Sequence, residues 1–141
     1  MHLPLAGKAP LDLQGLSREP VTGLYVHVPF CFHKCHYCDF YSIPSQTDER
    51  MRAFVDRLLA EAALWRASAV ELRPRTIFFG GGTPSLLPLD AMRRLLEGLQ
   101  SLFDLAQVDE WTIEVNPATA ERDYCCMLRE CGATRLSVGA Q

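Results

Sequence analysis

From Gly23 onward the sequence alternates between short β-rich runs and longer stretches with helical periodicity, and this alternation limits the fold more tightly than any other feature. Leu24-Tyr25-Val26-His27-Val28 reads as a strand ended by Pro29, and a loop follows to Pro44. A helix is expected from about Thr47, where Asp48 and Glu49 suit the positive end of its dipole. Its buried stripe is Met51, Phe54, Val55, Leu58, Leu59 and Ala62. Thr76-Ile77-Phe78-Phe79 is a second strand, stopped by Gly80-Gly81-Gly82, and Met92, Leu95, Leu96, Leu99 and Phe103 mark a second helix. Trp111 to Val115 is a third strand, ended by Asn116-Pro117. A third helix, expected to be capped by Thr119, shows Tyr124, Leu128 and Cys131 on one face and stops at Gly132. Arg135-Leu136-Ser137-Val138 begins a fourth strand. The order β-α-β-α-β-α-β is that of a parallel sheet with right-handed crossovers.

Four parallel strands cannot close a barrel of usual proportions, and no helix follows to cover the last of them. The expected fold is therefore α/β: a partial parallel (β/α) barrel of about four βα units. Residues 23–141 are expected to form the N-terminal part of a longer domain, behind a flexible leader at 1–22. That leader is broken by Pro4, Pro10 and Pro20 and carries Asp12 and Glu19, so it does not read as a secretory signal. The reading is of a cytoplasmic protein without a transmembrane segment, since no apolar run is long enough to cross a bilayer. A net charge of −3, with scattered basic residues, gives no reason to expect a nucleic-acid partner.

Sites in α/β sheets form where the βα loops converge, at the carboxyl ends of the strands. Each strand end here carries something unusual: a cysteine loop, three glycines, Glu114, and Gly139-Ala140-Gln141. The loop Cys31-Phe32-His33-Lys34-Cys35-His36-Tyr37-Cys38 has C-x3-C-x2-C spacing, which can turn three thiolates toward one centre. Held by three cysteines, a four-iron cubane keeps one iron open, which is what a catalytic site needs. Zinc bound by the three cysteines with His27, His33 or His36 is a chemically reasonable alternative. A disulfide scaffold fits less well, because the three cysteines are too local to tie distant segments together. Cys125, Cys126 and Cys131 are assigned no chemistry, and free cysteine is often a small buried hydrophobe.

Tyr25-Val26-His27-Val28-Pro29-Phe30-Cys31, with the cysteine loop and Asp39-Phe40 after it, resembles the radical S-adenosylmethionine (SAM) superfamily. More closely, it is similar to the oxygen-independent coproporphyrinogen III oxidases and their relatives, the HemW-type haem chaperones. Phe79 to Ser85, Glu114-Val115-Asn116-Pro117 and Ser137 to Gln141 match further motifs of that family in order. The resemblance implies that Cys31, Cys35 and Cys38 ligate a [4Fe–4S] cluster whose open iron takes the amino and carboxylate groups of SAM. One electron from an electron donor, passed through the cluster, would then give a 5′-deoxyadenosyl radical. It further implies that Tyr25 lies against SAM and that Tyr37 forms part of the adenine wall. Gly81, Gly82 and Thr83 would receive the methionine end, Glu114 would bond the ribose, and Gln141 would add a polar contact. The oxidases carry one more cysteine two positions beyond the third, where this chain has Phe40. That departure resembles the chaperone branch, and implies haem binding and delivery, with haem itself handled by the full-length protein. Oxidative decarboxylation of a porphyrinogen is the alternative, and a zinc-stabilised structural module is the alternative of another class.

Overall fold

The computed structural model describes residues 19–44, 46–68 and 70–140. Its frame is a four-stranded sheet in the order β1-β4-β5-β6, formed by Val21–Val28, Leu72–Gly81, Glu110–Val115 and Arg135–Val138. All three pairings are parallel. The helices α1 (Asp48–Arg66), α2 (Leu89–Leu102) and α3 (Arg122–Glu130) fall between successive strands, as the alternation in the sequence requires. Two features were not anticipated. Phe30–Cys31 (β2) and Ile43–Pro44 (β3) pair with each other as a separate two-stranded element, and Pro84–Leu86 forms one turn of 3-10 helix.

Alternation along each strand divides the sheet into two faces. Val26, Val28, Ile77, Phe79, Trp111, Ile113 and Val115 enter one buried cluster. The helices close it with Met51, Val55, Met92, Leu95, Leu96, Leu99, Met127 and Leu128. The opposite face carries two cross-strand rows at the register of the pairing. One is Tyr25, Phe78, Thr112 and Arg135; the other is made of two pairs, His27 with Gly80 and Glu114 with Ser137. These two pairs lie nearest the carboxyl ends of the strands.

Two strands run longer than their apolar cores suggest. β1 takes in Val21 and Thr22, which the sequence reading placed in the leader, and residues 1–18 of that leader lie outside the described residues. β4 starts at Leu72 and pairs with Val21 across a register shift. Pro74 sits at that shift, and proline has no N–H to give a regular ladder. Arg75 continues the strand by donating twice to Asp109, including Nε to Oδ2 at 2.8 Å.

At the start of α1, Thr47 Oγ1 accepts from the Arg50 N–H at 3.3 Å, the cap expected of it. The third helix corrects the sequence reading: its cap residue is Glu121, not Thr119. Asn116 folds the intervening segment into a turn by accepting the Ala118 N–H on Oδ1 at 2.9 Å, so the helix cannot begin until the chain has left that turn. The Thr119 hydroxyl is spent elsewhere, on Ser85 and the Asn116 carbonyl.

Leu96 is fully buried between sheet and helices, whereas Leu64, on α1, is mostly exposed. Replacing Leu96 by alanine is expected to lower unfolding free energy by about 3 kcal/mol in urea titration. The same change at Leu64 should alter it by less than about 0.5 kcal/mol.

Candidate functional site

The cysteine loop leaves β1 through Pro29 and is pinned at its base. Ile43 N–H donates to the Pro29 carbonyl at 2.7 Å, Thr83 N–H to that of Phe30 at 2.7 Å, and Gly82 N–H to that of Val28 at 2.8 Å. Phe30 is buried and meets Phe54 of α1 edge-on at 5.1 Å. Both ends of the loop are therefore tied to the core; Cys31 lies at this pinned base, in β2, and Cys35 and Cys38 lie in the segment beyond it. Cys31, Cys35 and Cys38 are free and half-buried, and the Cys38 N–H closes a turn onto the Cys35 carbonyl at 3.1 Å. Among the described residues, no three His, Cys, Asp or Glu side chains converge closely enough to hold a metal ion. The structure thus brings the three cysteines into one pinned loop without bringing their side chains to a common point. Phe32, Tyr37, Phe40 and Tyr41 of this segment are all more than half exposed.

The second strand end is made of backbone. Gly81 has φ +108°, a conformation costly for any residue with a Cβ, and a Cβ there would strike the His27 ring. A Cβ on Gly82 would meet the Phe30 carbonyl oxygen at 2.5 Å and the Pro29 carbonyl carbon at 2.7 Å. These glycines let the loop after β4 lie directly against the start of the cysteine loop.

Glu114 comes from the third strand end. It is half-buried, and its carboxylate accepts the Gly81 backbone N–H. Burial pushes the carboxyl above its ordinary value, and the Gly81 hydrogen bond partly opposes this. The phenol of Tyr25 is likewise pushed up, first by burial and then by the negative charge of Glu114. Tyr25 stacks on Phe78 with ring centroids 6.3 Å apart, and its hydroxyl lies 2.9 Å from His27 Nδ1. His27 Nε2 is 3.2 Å from the Tyr41 carbonyl, so both ring nitrogens are engaged and the ring links the sheet to the far end of the cysteine loop.

Beyond these groups lies a cleft of about 170 Å³, lined by Gly82, Thr83, Glu114, Asn116, Ser137 and Gly139 among others. It is the meeting point of the second, third and fourth strand ends. A larger cavity of about 430 Å³ is walled mainly by apolar side chains such as Leu24, Leu58 and Trp65; it shares no lining residue with the polar cleft, and of the expected site residues only Tyr25 borders it. Of the expected site residues, Gly82, Thr83 and Glu114 share the polar cleft. Gly81 and Tyr25 adjoin it through Glu114 and His27. Tyr37 and the three cysteines do not line it, and Gln141 lies outside the described residues. Sequence reasoning weighed His27 only as a zinc ligand and missed Asn116 and Ser137 as lining residues. The two-residue period from Tyr25 to His27, and from Glu114 to Asn116, carries part of that information.

The donors present fit an iron–sulfur cluster with a small polar ligand beside it. Three free thiols lie within eight residues, on a loop pinned at its base, and a side-chain-free backbone edge and a carboxylate stand next to it. Together the parallel sheet, the cysteine loop and the polar cleft define a (β/α) cofactor-binding domain with its site at the carboxyl ends of the strands. The family model for the Radical SAM superfamily matches residues 25–141, and the chain belongs to that superfamily. Membership implies a [4Fe–4S] cluster and SAM. The chain is 40% identical over 126 residues to the protein named heme chaperone HemW of Escherichia coli, covering 89% of this chain and 33% of that one. It is 35% identical over 119 residues to the oxygen-independent coproporphyrinogen III oxidase of Paracoccus denitrificans, covering 84% and 26%. The solved coproporphyrinogen III oxidase (HemN) of Escherichia coli, described as a radical SAM enzyme, matches the fold with a TM-score of 0.77. That match has 32% identity and covers 86% of this chain and 28% of the other. The chain thus spans about a third or less of the length of these relatives. No helix among the described residues is long and apolar enough to cross a membrane.

A carboxyl raised by burial favours the folded state only while it is protonated. Its contribution is full below the ordinary carboxylate range and is lost as pH rises through the raised value. Glu114→Gln removes this dependence. In the cofactor-free chain its melting temperature should therefore gain on wild type as pH goes from about 4 to about 7. A difference that stays constant across that range would contradict the assignment.

Proposed function

We propose that the chain is the cofactor-binding portion of a radical SAM protein of the haem-chaperone type. Cys31, Cys35 and Cys38 hold the [4Fe–4S] cluster, and the fourth iron is left to SAM. When bound, the pair supplies one-electron reductive chemistry; the chain binds, orients and shields it. With its base bonded to Gly82 and Thr83, the cysteine loop would hold the cluster beside the backbone edge of Gly81, Gly82 and Thr83. That edge offers close approach to the amino-acid end of SAM. Glu114, fixed in place by the Gly81 N–H, is positioned to accept from the ribose hydroxyls. Tyr25 and Tyr37 supply aromatic surface on either side, and Gln141 a further polar contact.

The observation that carries the cofactor reading is the adjacency of the cysteine loop and the glycine edge, held together by the Thr83–Phe30 and Gly82–Val28 hydrogen bonds. The chaperone reading is supported by Phe40 at the position where the oxidases have a further cysteine, and by several relatives named heme chaperone HemW. In this reading the partners are haem and an electron donor, and the compartment is reducing, in keeping with six free cysteines. Porphyrinogen decarboxylation is the competing reading, favoured by the structural likeness to HemN.

Replacing Cys31, Cys35 or Cys38 by alanine is expected to abolish iron binding after anaerobic reconstitution, whereas Cys126→Ala should leave the iron content at the wild-type level. Equal loss in all four folded variants would sink the ligand assignment. Gly81→Val should retain the cluster and bind SAM more weakly. For function, the wild-type protein is expected to give a stoichiometric haem absorbance titration and no decarboxylated product from coproporphyrinogen III. Product without haem binding would transfer the protein to the oxidases.

A further inference from the structure

The turn after β5 contains a closed ring of hydrogen bonds. The Asn116 N–H donates to Ser85 Oγ at 3.0 Å, and Thr119 Oγ1 donates to the Asn116 carbonyl at 3.0 Å. Ser85 Oγ and Thr119 Oγ1 are themselves hydrogen-bonded. Because the Thr119 hydrogen goes to Asn116, the Ser85 hydroxyl must donate to Thr119. Each hydroxyl then accepts once and donates once, so the three bonds run in one direction and polarise one another. The ring starts and ends on the backbone of a single residue, Asn116. Ser85 is 3% exposed, so water has little access to replace it.

This ring joins the two walls of the polar cleft. Gly82 and Thr83 form one wall, and Ser85 stands two residues beyond Thr83 in the 3-10 turn. Asn116 belongs to the other wall, two residues beyond Glu114. No strand pairing holds the walls together at this level, since the paired residues of β4 and β5 end at Phe79 and Ile113. Beyond that pairing, the Gly81–Glu114 hydrogen bond and the hydroxyl ring are links that join the two segments.

We propose that Ser85 and Thr119 are positioning residues for SAM: their hydroxyl ring fixes the separation of the glycine wall from the Glu114–Asn116 wall. The proposal rests on the reading of the cleft as the seat of SAM. Neither hydroxyl needs to touch the ligand. Their removal frees the Asn116 N–H and lets the walls drift, so the geometry that SAM requires is populated less often.

The test uses the full chain reconstituted with iron and sulfide, as wild type, Ser85→Ala, Thr119→Val and Thr119→Ser. Iron per chain is measured beside the Kd for SAM by equilibrium dialysis. Ser85→Ala and Thr119→Val are expected to keep wild-type iron and bind SAM about ten-fold more weakly, the scale of one lost hydrogen bond with its orphaned partner. Thr119→Ser, which keeps the hydroxyl, should bind as wild type does. A purely structural role would make iron and SAM fall together in both weakened variants, and that result would overturn the proposal. Wild-type SAM affinity in both would overturn the clamp and leave the reading of the cleft intact. A wild-type chain that holds iron yet binds no SAM would overturn the cleft reading, and the proposal with it.

Discussion

Hydrogen bonding of β4 to β1 on one side and β5 on the other fixes where everything else in this domain lies. Ile77 and Phe79 of β4 are buried against the helices, so the register of the strand is set by the core: a slip of one residue would turn both toward the opposite face. With that register set, Gly80 and Gly81 reach the carboxyl edge beside His27 and Val28 of β1. The cysteine loop and the glycine edge are neighbours because their strands are. The hydrogen bonds from Gly82 and Thr83 to Val28 and Phe30 extend that pairing past the ends of the strands.

The groups at this edge are less favourably placed than those in the core. Gly81 adopts a left-handed conformation, Glu114 carries a carboxyl in a half-buried place, and large aromatic side chains of the cysteine loop stand in solvent. None of these helps the sheet to fold. Under the proposed function each would prepare for a ligand: glycine for close approach, a partly desolvated carboxylate for a stronger hydrogen bond, and aromatic surface for stacking. Stability is supplied instead by the continuous apolar layer from Val26 to Leu128, on the opposite face.

Much of this architecture is legible in the sequence, because a parallel sheet buries one face of every strand and so writes period-two runs between helical stripes. The helices and strands lie at their expected places, and Gly82, Thr83, Glu114 and Gly139, from three of the strand ends, line one cleft. The additions beyond the pattern have local causes. Arg73, Pro74 and Arg75 do not read as a strand, yet pairing with Val21 and the Arg75–Asp109 contact extend β4 over them. Thr119 has the chemistry of a helix cap, but Asn116 captures the turn first. Ser85 and His27 act through partners 31 and 14 residues away, and hydrophobic periodicity says nothing about which polar side chains pair across such loops. The cysteines are singled out by spacing and by the motifs around them, and spacing specifies a shared loop rather than a closed set of ligands.

The central claim is that Cys31, Cys35 and Cys38 would hold a four-iron cluster that takes SAM at its open iron. Its most direct measurement is electron paramagnetic resonance of the anaerobically reconstituted, reduced protein, recorded with and without SAM alongside metal analysis. The account predicts about four irons per chain and a signal that changes when SAM is added. Stoichiometric zinc with no cluster, or a four-iron signal that SAM leaves unchanged, would contradict it.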